Sequence, residues 1–280
     1  MPLTQADTSR QVRTKDWTLH YEEAGAGLPV IMLHGSGPGA TGWTNFSANL
    51  EPLAQRFHVY AVDMPGWGES DPCTVERLDH VDALLQFMDA VGLERAALIG
   101  NSMGGATALR TATEHRDRVS HLVTMGAPVN LQPKLFGPAD GPSEGLKALF
   151  AAYADPSPQA MRRLVELMVF DKSFVTDALC RSRADAAAAR PDHLRNLLAG
   201  LPHGAPVPSF ARTDDLRNVQ VPALLIHGRD DRVLHPEHAL TLLAHLPDSR
   251  LVLLNRCGHW AMIEHAAEFN RLVTDFLLHT

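Results

Sequence analysis

The chain has 280 residues, 45% of them hydrophobic and 20% charged, enough to bury a sizeable core in one large domain or one domain with an insert. Its net charge of −7 is dispersed, without the basic stripe that marks a nucleic-acid partner, and no apolar run approaches the length that crosses a bilayer. Residues 1–15 are polar and lack a secretory apolar segment, and the three scattered cysteines, Cys73, Cys180 and Cys257, fit a reducing cytoplasm better than a disulfide framework.

In chain order, residues 12–23 alternate around Trp17, Leu19 and Tyr21 and predict an edge hairpin. A short apolar run over 30–33 predicts a central strand that feeds a loop, 34–39, too rich in glycine to be regular. A helix over 43–53, a strand over 59–62 and a helix over 79–91 follow; Val81, Leu84, Leu85 and Met88 share one face of the last. The run 96–100 predicts a buried strand, 106–112 a helix and 119–125 another strand. The alternation then lapses. Residues 129–210 carry helical patterns over 146–154, 158–170 and 175–189, punctuated by Pro156, Pro158, Pro191, Pro202, Pro206 and Pro208. Strands resume over 221–227 and 250–254, with a helix over 236–246 between them, and 267–279 closes the chain as an amphipathic helix with Phe269, Leu272, Val273, Phe276 and Leu277 inward. Strands alternating with helices imply an α/β protein with a mostly parallel sheet covered on both faces. Residues 1–128 and 211–280 are expected to form the core, and 129–210 a helical lid.

The strand over 96–100 runs into Gly100-Asn101-Ser102-Met103-Gly104, and a helix follows. Strand, tight glycine turn and helix is the setting of a nucleophile elbow, with Ser102 at the apex. The pentapeptide alone also fits a helix-capping serine. An acid and a base decide between the two, because a serine nucleophile needs a base for its proton and a third group to orient that base. Asp231 follows the strand over 221–227; its neighbour Asp230 competes, and Asp231 is chosen because it stands three residues past Gly228. Asp230 is left a solvated or loop-bracing carboxylate. His259 follows the strand over 250–254, just after Gly258. Ser102, Asp231, His259 is the serine–acid–histidine order of the α/β-hydrolase fold. The backbone N–H groups of Met103 and of Ser36, in the glycine-rich loop, are the expected oxyanion donors. That loop lacks the Gly-Lys-Ser/Thr ending of a phosphate-binding loop. His34 is expected to brace it. His235, His238 and His245 are expected as surface residues of a helix, since no metal-binding spacing accompanies them.

Longer stretches carry a resemblance. Gly35-Ser36-Gly37-Pro38-Gly39-Ala40, Asn101-Ser102-Met103-Gly104-Gly105 and Cys257-Gly258-His259-Trp260, with Asp63-Met64-Pro65-Gly66 and Val169-Phe170-Asp171-Lys172, span nearly the whole chain. Through them it resembles the meta-cleavage product hydrolases, carbon–carbon bond hydrolases of bacterial aromatic catabolism. The resemblance implies a cofactor-free, cytoplasmic homo-oligomer. Its substrate would be a 2-hydroxy-6-oxo-hexa-2,4-dienoate, split into 2-hydroxypenta-2,4-dienoate and a carboxylic acid. It implies Ser102 as nucleophile, His259 as proton shuttle and Asp231 as its orienting acid. Arg183 falls on the family's lid arginine that pairs with the substrate carboxylate. Asn45 and Asn101 match polar residues near the dienoate oxygens, Trp260 matches a pocket wall, and Gly37 is expected against the substrate. The chain departs from the family pattern at Ala127-Pro128-Val129-Asn130, at Met262-Ile263 and in the alanine-rich stretch after Arg183. Those positions bear on the acyl end of the substrate. A serine carboxylesterase or lactonase is the alternative on the same triad, and a non-catalytic hydrolase-fold binding protein a further one.

Overall fold

The computed structural model describes residues 3–130, 134–138, 141–200 and 210–280. Its frame is a sheet of eight strands: β1 (Ser9–Arg13), β2 (Thr18–Gly25), β3 (Leu28–Leu33), β4 (Phe57–Val62), β5 (Ala96–Asn101), β6 (Val119–Met125), β7 (Ala223–Gly228) and β8 (Ser249–Leu254). Their spatial order is β1-β2-β4-β3-β5-β6-β7-β8; the pairs β1–β2 and β2–β4 are antiparallel and all the others parallel. The predicted hairpin therefore forms one edge.

Strands this apolar need cover on both faces, and their side chains divide accordingly. Val30, Met32, Ala97 and Ile99 point into one cluster, with Phe46 and Leu50 of α2 (Gly42–Ala54) and Phe269 and Val273 of α11 (Ala266–His279). Ile31, Leu33, Ala96 and Leu98 point into the other, with Leu84 and Phe87 of α3 (His80–Ala90), Leu109 of α4 (Met103–Glu114) and Leu242 of α9 (Glu237–His245). Two helices are single four-residue turns: α1 (Gln5–Thr8) precedes β1, and α10 (Ala261–Glu264) precedes α11.

Between β6 and β7 lie α5 (Glu144–Ala154), α6 (Pro158–Met168), α7 (Asp177–Ala189) and α8 (Pro191–Gly200). The sequence pattern predicts the first three and misses α8. Pro191 reads there as punctuation but occupies the first turn of a helix, where its missing N–H costs nothing. Pro202, Pro206 and Pro208 lie outside the described residues. The buried faces of α5, α6 and α7 join the same apolar cluster as α2 and α11.

One buried carboxylate ties the hairpin edge to the loop after β4. Asp63 accepts the Gly42 N–H (2.7 Å), the Glu69 N–H (3.1 Å) and a hydrogen bond from His20 Nδ1 (2.9 Å). Burial works against a charge on His20, but Asp63 and Glu22 more than offset it and raise the imidazole pKa. The resulting stabilisation is complete below the ordinary value of about 6.5 and is lost as pH rises through the raised one. Asp63→Ala leaves three donors unpaired, two of them buried, and is expected to cost about 3–5 kcal/mol. Urea unfolding at pH 6 and pH 9 checks this: the gap between wild type and variant should be larger at pH 6, and equal gaps would contradict the ion pair.

Candidate active site

The turn from β5 into α4 is forced by steric fit. Ser102 has φ 52° and ψ −114°, a region that a side chain adopts only under restraint. The restraint is visible. The Ser102 N–H donates to the Met125 carbonyl of β6 (2.8 Å), and the Gly104 N–H donates to the His34 carbonyl (3.1 Å). The backbone approaches too closely for side chains on either side: a Cβ on Gly100 would stand 2.3 Å from the Gly104 carbonyl oxygen, and one on Gly104 2.1 Å from that of Leu33. Ser102 is half-buried, while Asn101 and Met103 on either side are buried. Met103 is the first residue of α4, so its N–H lies at the positive end of that helix.

Asp231 and His259 meet beside the elbow. His259 Nδ1 donates to Asp231 Oδ2 at 2.7 Å, and both residues are buried. Burial alone would raise the Asp231 carboxyl, but His259 and His227 reverse the effect and hold it far below the ordinary carboxylate range. Its other oxygen, Oδ1, accepts the N–H groups of Val233 (2.7 Å) and Leu234 (3.0 Å). This fixes Nε2 of His259 as the nitrogen free to exchange a proton. Asp230 accepts the Arg256 N–H (3.0 Å) and braces the neighbouring loop. The two loops are knitted together: Arg229 N–H donates to the Leu254 carbonyl (2.8 Å) and Asp230 N–H to the Cys257 carbonyl (2.9 Å).

Gly126, which no single-sequence signal marks, is the floor under this pair. Its φ is +51°, and a Cβ there would stand 2.7 Å from both Cε1 and Nδ1 of the His259 ring. The inserted helices are fastened to the same loops. The His259 N–H donates to the Met168 carbonyl (2.7 Å), the Gly145 N–H to the Arg232 carbonyl (3.0 Å), and the Ser143 hydroxyl to the Val233 carbonyl (2.7 Å).

Loop 34–39 crosses the opposite side of Ser102. A Cβ on Gly35 would meet Asn101 Oδ1 at 2.7 Å and Ser102 Cβ at 3.3 Å, so Ser36 follows a residue pressed against Ser102. His34 braces this loop: its Nδ1 donates to the Gly35 carbonyl (2.8 Å), and its Nε2 accepts the Met64 N–H (3.0 Å). Those two bonds require the neutral ring, and burial accordingly pulls its pKa down. Asn101 spends its amide on the carbonyls of Met125 (3.2 Å) and His259 (3.3 Å), while Asn45 donates to Asn101 Oδ1 (3.3 Å). The two asparagines thus hold the elbow to the histidine loop.

Arg183 reaches the site from α7. It is 3% exposed, its guanidinium carbon lies 4.9 Å from the centre of the Trp260 ring, and a Cβ on Gly37 would stand 3.7 Å from its Nη2. Among the described residues it pairs with no carboxylate, and its Nε has no hydrogen-bond partner. Burial pulls the guanidinium down to about 10, so it is still a cation at neutral pH. Tyr153, which the sequence does not single out, is buried close by; its hydroxyl faces Ser36, Trp67 and Gly37 without forming a well-shaped bond within the protein. One expectation is corrected. His238 is not a free surface residue of its helix: its Nδ1 accepts the Val129 N–H (3.2 Å), and burial pushes its pKa down to about 4.

Comparison with known proteins gives the family and the fold. Residues 29–266 match the family described as the alpha/beta hydrolase fold. The chain is 42% identical to a 2-hydroxy-6-oxononadienedioate/2-hydroxy-6-oxononatrienedioate hydrolase of Dechloromonas aromatica, across 99% of this chain and 98% of the relative. It is 40% identical to a 2-hydroxy-6-oxo-6-phenylhexa-2,4-dienoate hydrolase of Comamonas testosteroni, across 98% of each. Among solved structures it is similar to a meta-cleavage product hydrolase of Pseudomonas fluorescens IP01, with a TM-score of 0.85 at 31% identity over 96% of this chain and 97% of that one.

The tight floor under His259 yields a prediction. Gly126→Ala forces the imidazole or the carboxylate to shift, and a misplacement of this size is expected to lower kcat about 100-fold. Steady-state hydrolysis on a variant with wild-type far-UV circular dichroism checks it; full turnover would mean that the pair moves aside without loss.

Proposed function

The chain belongs to the alpha/beta-hydrolase fold family and, within it, to the meta-cleavage product hydrolases, and from that premise we propose that it hydrolyses a carbon–carbon bond of a 2-hydroxy-6-oxo-hexa-2,4-dienoate. The products are 2-hydroxypenta-2,4-dienoate and a carboxylic acid. The observation that carries this reading is Arg183. A buried guanidinium with no carboxylate partner among the described residues is costly unless a ligand supplies the anion, and its planar fork suits a carboxylate. The names of the relatives share the 2-hydroxy-6-oxo-dienoate and differ in the acyl end, so the proposal rests on the shared part.

In this reading Arg183 holds the carboxylate end, with Gly37 and Trp260 as walls and Asn45 and Asn101 near the dienoate oxygens. The 2-hydroxyl loses its proton and C5 gains one, which converts the dienol to a 2,6-dioxo form. Ser102 then adds to the C6 carbonyl as His259 takes its proton, and Asp231 stabilises the imidazolium. The N–H groups of Met103 and Ser36 receive the oxyanion. The C5–C6 bond breaks, and its electron pair is delocalised through the 3-ene into the 2-oxo group, which makes this carbon a leaving group. The His259 imidazolium gives its proton to the departing enolate oxygen, which completes the 2-hydroxypenta-2,4-dienoate. Neutral His259 then takes a proton from water as it adds to the acyl-serine and returns that proton to Ser102 Oγ as the acid leaves.

Residues 129–210 act as a lid over residues 1–128 and 211–280, and the hydrogen bonds from the His259 N–H to the Met168 carbonyl and from the Ser143 hydroxyl to the Val233 carbonyl support that division. The protein works in the cytoplasm as a homo-oligomer: three unpaired buried cysteines support the first, and the family resemblance supports the second. No described helix is long and apolar enough to cross a membrane.

Arg183→Gln separates this activity from that of an ordinary esterase. Losing a hydrogen bond to a charged group costs about 1.5–3 kcal/mol, a 10–100-fold drop in kcat/KM on dienoates. Uncharged nitrophenyl esters present no carboxylate and should suffer far less. An equal loss on both substrates, or wild-type protein that turns over esters and leaves dienoates untouched, would favour the esterase.

A further inference from the structure

The Asp231 carboxylate faces a second imidazole. His227 is the penultimate residue of β7, four positions before Asp231, and both are buried. His227 Nε2 lies 2.8 Å from the Leu234 carbonyl oxygen and 3.4 Å from Asp231 Oδ2. A carbonyl oxygen can only accept, so Nε2 must carry the proton. That proton is bonded to the Leu234 carbonyl, and the same nitrogen stands 3.4 Å from the oxygen of Asp231 that also receives the His259 bond. The carboxylate is then engaged on every side: Oδ1 by the N–H groups of Val233 and Leu234, and Oδ2 by His259 and His227.

We propose that His227 is a positioning residue of the triad, whose Nε2–H fixes the rotation of the Asp231 carboxylate so that Oδ2 faces His259 Nδ1. The geometry explains why a donor belongs there. The bonds to Val233 and Leu234 hold Oδ1, and the His259 bond meets Oδ2 from one direction. The His227 proton, itself anchored on Leu234, closes the remaining direction. It also supplies a fixed partial positive charge to a buried anion, where an unanswered lone pair is expensive. Phenylalanine would fill the same space without a donor. Glutamine carries an amide N–H able to reach the same oxygens. The inference rests on the triad reading above.

Two measurements test it. Long-range 1H–15N correlation on the wild-type protein reads the His227 tautomer directly, and a ring protonated at Nδ1 and not at Nε2 overturns the proposal whatever the variants do. His227→Phe is then compared with His227→Gln on dienoates. The expected result for His227→Phe is about a tenfold fall in kcat with little change in KM. The far-downfield proton resonance of the Asp231–His259 bond should shift or broaden, and His227→Gln should restore both. If folded His227→Phe keeps wild-type kcat and an unmoved resonance, His227 is packing alone. Asp231→Asn in the same assays keeps the two readings apart: if it too retains activity, the triad itself fails, whereas a silent His227→Phe beside an inactive Asp231→Asn overturns only the part given to His227.

Discussion

The structure depends on one strained residue. Ser102 is a side-chain-bearing residue at positive φ, and nothing in its local sequence would choose that conformation. It is imposed by close approach: β5 must turn within one residue into α4, and Gly100 and Gly104 let strand and helix touch backbone to backbone. The Met125 and His34 carbonyls hold the turn from either side. Strain of about 1–3 kcal/mol is affordable where the surroundings over-determine the conformation. Its consequence is geometric, because it lifts the serine out of the sheet and turns the first N–H of α4 toward the same space.

Everything else at the site is brought to that point by parallel strands. In a parallel sheet the carboxyl ends of β3, β5, β6 and β7 lie on one edge, and ligands bind outside such an edge. The loop after β3 carries Ser36 and Gly37, the one after β6 begins with Gly126, and the one after β7 carries Asp231. β8 adds His259. The inserted helices complete the arrangement without carrying a triad member. They contribute Arg183 and Tyr153 as walls and are bonded to the acid and histidine loops through Met168, Ser143 and Gly145. A movement of those helices is therefore coupled by hydrogen bonds to the loops that carry His259 and Asp231.

Much of this is legible in the sequence because it is local. Short apolar runs announce β3 to β7, and Gly-x-Ser-x-Gly between a strand and a helix announces the elbow. Asp231 and His259 are legible because each follows a strand and a glycine. The residues that escape are those whose part is defined across the chain. Gly126 matters only because the His259 ring lies on it, and His227 reads as one more residue of a buried strand until Leu234 and Asp231 fold back over it. Tyr153 lies on an amphipathic face like any core residue, and His238 reads as a surface helix residue until Val129 covers it. The helix α8 is missed for a local reason: a proline that ends most patterns begins this one.

The central claim is that a serine nucleophile breaks a carbon–carbon bond after the dienol has become a ketone. The most direct measurement is stopped-flow visible absorbance of a coloured 2-hydroxy-6-oxo-dienoate mixed with wild-type protein and with Ser102→Ala, followed by identification of the products. The account predicts full bleaching by the wild type, with 2-hydroxypenta-2,4-dienoate and the acid in equal amounts. With Ser102→Ala it predicts a shift of the spectrum without release of either product. Bleaching and product release by Ser102→Ala at the wild-type rate would contradict it.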